Sequence, residues 1–223
     1  MAGLGSRFAS HGYAEPKPLI QFKGKTMIRH VVEHLDLLEH EHIFICQKQH
    51  VADYNLHNHF DSFVPNFKIV TVNGLTDGAA TTVSKVDGIV DYDDEVMIVN
   101  SDQLLHWDKN LLAGLSCAGT IFCFYGTGPK WSYAKVDEIG FVTKVAEKIQ
   151  ISEYATAGMY QWNKFGYYME SYYRMVAAND RTNNEFYVAP VYNYALHMGI
   201  GIRMVNYVDQ VGTPEELEEY LNK

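Results

Sequence analysis

Continuous apolar or β-branched runs punctuate the first half of the chain. Residues 43–47 (IFICQ), 68–72 (KIVTV), 96–99 (VMIV) and 120–125 (TIFCFY) have the pattern of strands buried on both faces. Helical periodicity fills the gaps between them. From Thr26 the apolar positions Met27, Val31, Leu35 and Leu38 recur at spacings of three and four, and Asp108 can cap a helix carrying Leu111, Leu112 and Leu115. Strand and helix in alternation predict βαβ units, hence an α/β fold with a mostly parallel sheet flanked by helices. After about residue 126 the pattern loosens into shorter strands near 133–137, 141–146 and 157–162, then helices near 164–178 and 185–198. A last helix is expected from Gly212-Thr213-Pro214-Glu215-Glu216, with Thr213 as cap, Pro214 at the first helical position and acids in the first turn. No internal repeat, low-complexity tract or Pro/Ser-rich linker interrupts the sequence. A single domain over 1–223 is therefore expected, with a first half 1–126 and an elaborated C-terminal half 127–223.

Composition narrows the class of protein. With 223 residues, 47% hydrophobic and 20% charged, the chain is long enough to bury roughly 70% of its unfolded surface without disulfide or metal staples. Its three cysteines, Cys46, Cys117 and Cys123, form no CxxC or Cys/His ligand spacing and read as buried thiols of a reducing compartment. Acidic residues outnumber basic ones by 27 to 18, so affinity gained by neutralising nucleic-acid phosphates is not expected. The apolar runs are too short to span a membrane, and no basic region followed by an apolar core opens the sequence. A cytoplasmic protein that engages neither membrane nor nucleic acid is expected.

The candidate chemistry begins at the first residues. In Ala2-Gly3-Leu4-Gly5-Ser6-Arg7-Phe8, Gly3 and Gly5 permit a tight turn that points successive N–H groups at an anion. Ser6 adds a hydroxyl and Arg7 a bidentate fork for phosphate. Lys17 sits between Pro16 and Pro18, which fix the backbone around it at low entropic cost and suit a positioned phosphate ligand. A loop of this kind needs a strand before it, so either a strand upstream of Met1 or another segment in its place is expected. Asp102, in Asn100-Ser101-Asp102-Gln103, follows an apolar strand, where an aspartate either caps the next turn or faces a ligand at the carboxyl end of the sheet. His30 and His34 stand at i and i+4, but no HExxH glutamate accompanies them, and a solvated helix face is the expected reading. Tyr167, Tyr168, Tyr172 and Tyr173 fall at helical spacings and are expected to pack or to form a subunit contact, as in a homodimer.

These segments resemble a known family. MAGLGSRF, PKPLI and GKTMI are similar to the signature of the sugar-phosphate nucleotidyltransferases, also called nucleotide-sugar pyrophosphorylases. Further similar segments follow in order: Thr76–Thr82, Asn100–Gln103, Lys130–Lys135, Glu147-Lys148, Ala155–Tyr160, Asn183–Tyr187 and Gly212–Leu217. The resemblance implies a Rossmann-like fold of the nucleotide-diphospho-sugar transferase type with an acceptor-binding C-terminal half. It also implies an enzyme that joins an NTP to a phosphorylated small molecule and releases pyrophosphate. Ala2, Gly3, Gly5, Ser6, Arg7, Lys17, Gly78, Ala79, Ser101 and Asp102 would bind nucleotide, and Arg7, Lys17 and Asp102 would manage the reacting charge. Tyr133, Glu147, Lys148, Gly158, Asn184 and Glu185 would bind the acceptor. Mg²⁺ would be held by Asp102, with Asp209 as a second ligand, although Gln210 and Val211 separate Asp209 from the Gly-Thr pair and shift the usual register. The short chain resembles the compact type, similar to phosphocholine and other capsule-related cytidylyltransferases, which favours CTP and a role in surface polysaccharide assembly.

Bland readings accompany several of these residues. Glu147-Lys148 can be an exposed ion pair, Gly158 can mark a strand bulge, and Asn184 can serve as a helix N-cap. Two other functions remain: a nucleotide-sugar-dependent glycosyltransferase, which would need a DxD-type motif where only Asp102 is acidic, and a catalytically inactive nucleotide sensor.

Overall fold

The computed structural model describes residues 1–3, 15–35, 40–105, 110, 117–206 and 210–211, and the expected helices after Asp108 and Thr213 lie outside the described residues. In chain order, a 3-10 turn at Lys17–Leu19 is followed by β1 (Gln21–Phe22), β2 (Lys25–Thr26), α1 (Met27–Leu35), β3 (His42–Gln47), α2 (Lys48–Asp53), α3 (Leu56–Asp61) and β4 (Phe67–Val72). Next come α4 (Ala79–Val83), a second 3-10 turn at Ser84–Val86, β5 (Val96–Val99), β6 (Leu104–Leu105), β7 (Gly119–Tyr125), β8 (Ser132–Val136), β9 (Val142–Glu147) and β10 (Tyr154–Trp162). The last elements are α5 (Phe165–Ala177), α6 (Val188–His197), β11 (Ile202–Asn206) and β12 (Gln210–Val211). They divide into two compact units, one from the described parts of Met1–Thr76, Asn100–Trp107 and Asp209–Lys223, the other from Asp77–Val99 and Asp108–Val208.

In the first unit, Met27, Ile28, Val31 and Leu35 form the buried stripe of α1, as the spacing predicts. The parallel pair β3–β4 runs in register from His42↔Phe67 to Gln47↔Val72. Phe60 of α3 stacks on Phe44 of β3 at 3.9 Å, and Leu56 and Phe60 are wholly buried. The crossover helices α2 and α3 escape a periodicity reading because α2 buries none of its residues and Asn55, in the left-handed region at φ 46°, separates the two. β6 pairs antiparallel with β12. Several described histidines bond local groups: His30 the Phe22 carbonyl at 3.0 Å, His34 the His30 carbonyl at 2.6 Å, and His59 the Thr26 hydroxyl at 3.0 Å, while His40 and His42 meet each other at 3.1 Å.

The second unit is built on a six-stranded sheet of order β11-β7-β10-β8-β9, with β5 also pairing β10. β10, buried along nearly all its nine residues, is central. Here the expectation of mostly parallel pairing is corrected: β7–β11 is parallel, like β3–β4, but the pairs of β10 with β5, β7 and β8, and of β8 with β9, are antiparallel. For β8–β9 the reason is connection length. The turn between β8 and β9 is too short for a crossover, which requires a dozen residues or more, and an apolar run carries no information about strand direction. Helices flank the sheet as expected for an α/β fold. From α6, Tyr192 lays its ring on Trp162 at 4.1 Å and places its hydroxyl 2.9 Å from the Gln161 carbonyl. Asn193 brackets Val145 of β9, accepting from its N–H and donating to its carbonyl, both at 2.8 Å. On α5, Tyr168 and Tyr172 are buried while Tyr173 stays half exposed and bonds Asp87 at 2.8 Å. Cys46 and Cys123 are buried and Cys117 half-buried, all three as free thiols. Among the described residues, no helix is long and apolar enough to cross a membrane.

α6 begins at Val188, three residues later than the sequence suggests, because a tight turn precedes it. Asn183 and Asn184 both have positive φ (48° and 65°), and Thr182 and Glu185 exchange backbone hydrogen bonds of 3.0 and 2.9 Å across them. Beyond this turn Phe186 docks on both sides of Gly78: its N–H donates to the Asp77 carbonyl at 2.7 Å and its carbonyl accepts from Ala80 at 2.9 Å. Gly78 has φ 113°, and a Cβ there would lie 2.5 Å from the Phe186 carbonyl oxygen. Gly78→Ala is therefore expected to destabilise the protein by at least about 2 kcal/mol, through both backbone strain and collision, read as a lowered midpoint in denaturant.

A second outcome concerns pH. Burial, assisted by His40, pushes His42 from 6.5 down to about 4. The unfolded chain then binds a proton between those values that the folded chain does not, so folding stability falls as pH drops from 6.5 toward 4. His42→Phe should lose less stability over that window than the unsubstituted protein, measured by thermal melts at matched ionic strength.

Candidate active site

Within the first unit, the prolines around Lys17 set up a single 3-10 turn, closed by a Leu19 N–H bond to the Pro16 carbonyl at 2.7 Å. Pro18, Leu19 and Ile20 are buried, which anchors the turn and aims the lysine. Its ammonium lies 2.9 Å from Asp102 Oδ2, with side-chain exposures of 12% for Lys17 and 37% for Asp102. Two residues 85 apart in sequence are thus brought together, and a cation and a carboxylate share one partly solvated position. Next to them, Asn100 donates to the Gln103 side chain at 2.8 Å, holding the segment that presents Ser101 and Asp102.

The start of the Gly-rich segment is tied down by a residue that sequence reasoning missed. Gln47, buried at the end of β3, donates through Nε2 to the Ala2 carbonyl at 2.6 Å and to the Gly74 carbonyl at 2.8 Å. Its signal was available: a lone amide closing the apolar run IFICQ requires partners when buried. Gly3 is exposed, and among the described residues a Cβ there would meet nothing within 4 Å. Gly5, Ser6, Arg7 and Asp209 lie outside the described residues.

Asp102 is the one candidate metal-binding carboxylate placed by the described residues, among which no group of three or more His, Cys, Asp or Glu could hold an ion. This donor set suits a hard cation that takes one or two carboxylates and fills its shell with water and phosphate oxygens, as Mg²⁺ does.

Within the second unit, Ser132 and Glu147 face one another across β8 and β9. Glu147 is buried, accepts from the Ser132 hydroxyl, and pairs through Oε1 with Lys148 Nζ at 2.9 Å. This is no exposed surface pair. Burial works against the Lys148 charge, yet hydrogen bonding and attraction to Glu147, with help from Tyr187, hold the ammonium above its ordinary value. Lys148 also sits 4.4 Å over the Tyr187 ring and has φ 58°, a left-handed conformation uncommon for a lysine.

The remaining candidates also lie in the second unit. Tyr133 points to the other side of the sheet from Ser132, is wholly buried, and donates its hydroxyl to the Gly128 carbonyl at 2.6 Å, so alternation along β8 assigns it to the core. Gly158, at φ 73°, lies where the β10–β7 register shifts between Thr156 and Tyr160, and so marks a bulge. Asn184 belongs to the tight turn rather than capping α6, whose N-cap is Tyr187. The Asn184 carbonyl accepts from Arg181 at 3.1 Å, and Arg181 in turn pairs with Asp77 at 3.0 Å and lies 4.0 Å over the Phe186 ring. The Glu185 side chain is exposed, beside the Phe186 backbone that embraces Gly78 and Ala79.

Among solved structures, the nucleoside-diphosphate-sugar pyrophosphorylase from Vibrio cholerae RC9 has a TM-score of 0.87 at 26% identity, over 100% of this chain and 98% of that one. The inositol-1-phosphate CTP transferase from T. maritima has a TM-score of 0.75 at 12% identity, over 100% and 92%. A UDP-glucose pyrophosphorylase complexed with UDP-glucose has a TM-score of 0.74 at 16% identity, over 99% and 94%. The latter two show the shared fold. No curated protein matches the chain. Residues 1–187 match the family described as nucleotidyl transferase, and the span takes in the Gly-rich segment, the Lys17–Asp102 pair and the Glu147–Lys148 pair alike. By that match over most of its length, the chain belongs to the nucleotidyl transferase family and is an enzyme of the nucleotidyltransferase type.

Proposed function

We propose that this enzyme transfers NMP from an NTP, CTP by preference, to a phosphorylated small molecule such as a sugar 1-phosphate or another phosphate ester, releasing pyrophosphate. The observation that carries the reading is the Lys17–Asp102 pair, held by a proline-fixed turn beside the Gly-rich segment. The preference for CTP is supported by the resemblance of the chain's segments to cytidylyltransferases and by the fold it shares with an inositol-1-phosphate CTP transferase. A role in capsule or surface polysaccharide assembly is supported by the resemblance to compact cytidylyltransferases, and a homodimer by exposed Tyr173 and Val176 on α5.

In the transfer, an acceptor phosphate oxygen forms a bond to the α-phosphorus while the bond from that phosphorus to the bridging oxygen breaks, and pyrophosphate departs with the electron pair. The acceptor phosphate, with a second pKa of about 6, is already largely ionised at neutral pH, so no strong base is needed. Catalysis then rests on positioning and on stabilising developing charge. Lys17, whose direction the two prolines set, supplies positive charge at the α-phosphate. Gly3, exposed and without a side chain, lets a phosphate approach the loop amides. Mg²⁺ held by Asp102 and phosphate oxygens would neutralise triphosphate charge and orient the leaving pyrophosphate. Lys148, kept protonated, binds the acceptor phosphate, and the oxygens of Glu147 accept from an acceptor hydroxyl or amine.

A screen for pyrophosphate release, pairing the four NTPs with phosphorylated sugars, amino alcohols and amino acids, tests the reading. Release is expected with CTP and at least one phosphate ester, and none with any pairing would overturn it. In that assay Asp102→Asn should nearly abolish turnover at ordinary magnesium while the protein stays folded. Lys17→Ala should lower kcat roughly 10²-fold or more with a smaller effect on nucleotide affinity. An effect of Lys17→Ala on KM alone would restrict that lysine to ground-state binding.

A further inference from the structure

Glu147 is not held by Lys148 alone. Ser132 stands opposite it in the β8–β9 register and donates its hydroxyl to Oε2, while Lys148 occupies Oε1. On β10, which pairs with β8, the Tyr160 and Thr156 hydroxyls bond each other at 2.9 Å. Thr156 and Tyr160 flank the bulge at Gly158, so the bulge brings together two hydroxyls that a regular strand would hold well apart. The carboxylate brings no hydrogen, so the single Ser132 proton points to Glu147. Burial pushes the Tyr160 hydroxyl well above its ordinary value, so it keeps its proton.

We propose that Ser132 is a positioning residue that fixes the Glu147 carboxylate and, through it, the Lys148 ammonium that receives the acceptor phosphate. This rests on the proposed function, in which Glu147 and Lys148 face the acceptor. It deepens that reading by tying acceptor recognition to a serine hydroxyl on the neighbouring strand. With Ser132 and Lys148 each already on one oxygen, the lone pairs that remain on Glu147 select acceptors that present a donor, a hydroxyl or an amine, near their phosphate.

The test is a double-mutant cycle on the full-length protein, using as probes the NTP and phosphomonoester that release pyrophosphate fastest. Ser132→Ala should lower kcat/KM for the phosphomonoester about tenfold, the scale of one hydrogen bond to a charged group, while leaving the KM for NTP within about twofold. Ser132→Thr, which keeps a hydroxyl on a strand, should restore most of the loss. Because Ser132 acts through Glu147, the pair Ser132→Ala with Glu147→Gln should be no worse than Glu147→Gln alone. Additive losses, or equal shifts in both KM values, would overturn the proposal. A crystal structure of Ser132→Ala provides a readout that needs no turnover: the Glu147 carboxylate should turn away from its place beside Lys148 with the β8–β9 register intact, and an unmoved carboxylate would equally overturn it. Absence of turnover in the unsubstituted protein would instead count against the proposed function.

Discussion

A charge withdrawn from water must be given a partner. Desolvating an ammonium or carboxylate costs several kcal/mol even after relaxation, and only a close counter-charge with further hydrogen bonds offsets it. The protein meets this constraint twice, once in each unit, and the two solutions differ. Lys17 and Asp102 meet at 2.9 Å with the carboxylate still over a third exposed, so Asp102 keeps a face open to water and to a cation. Glu147 is only 4% exposed in its side chain and is held on both oxygens. The first arrangement suits groups that must change partners during a reaction. The second suits groups that must stay in place while a ligand arrives.

Backbone geometry serves the same end. The left-handed conformation of Lys148 turns the chain at the end of β9 and brings its ammonium back over Glu147 and Tyr187. Such strain of about 1–3 kcal/mol persists only where surrounding contacts over-determine it. The Trp131 carbonyl, which accepts the Lys148 N–H at 2.9 Å, and the paired carboxylate supply those contacts. Gly78 shows the other resort: where the Phe186 backbone passes too close for any side chain, the chain has none.

How much of this was legible beforehand depended on the kind of signal. Buried strands announce themselves by continuous apolar runs, and β3, β4, β5 and β7 fall where those runs lie. The α1 stripe and the limits of α5 follow from period and are found within a residue or two. Pairing direction is a tertiary property set by connections, which is why the sheet of the second unit proved mixed. Short helices such as α2 bury nothing and leave no period to detect. At the site, Lys17, Asp102, Glu147 and Lys148 were nameable because their neighbours form recognisable segments. Ser132 was not, since a serine in an alternating strand looks like any solvent-facing residue, and its importance appears only when the partner strand places a carboxylate opposite. Tyr133 drew attention as the aromatic of the same segment, and alternation turned it inward.

The bracket that Asn193 places on Val145 has a consequence of another kind. β9 ends the strand order of the second sheet on one side, and a terminal strand offers unpaired N–H and C=O groups to any extended chain that meets it. The Asn193 amide occupies one such N–H and C=O pair as a neighbouring strand would. Just before β9, Phe141 bridges Arg203 of β11, the terminal strand on the opposite side. The two margins of the sheet are thus partly joined to each other and partly closed by a helix. An amide side chain on α6 thereby takes part in keeping separate copies of this protein from growing into one another through their sheets.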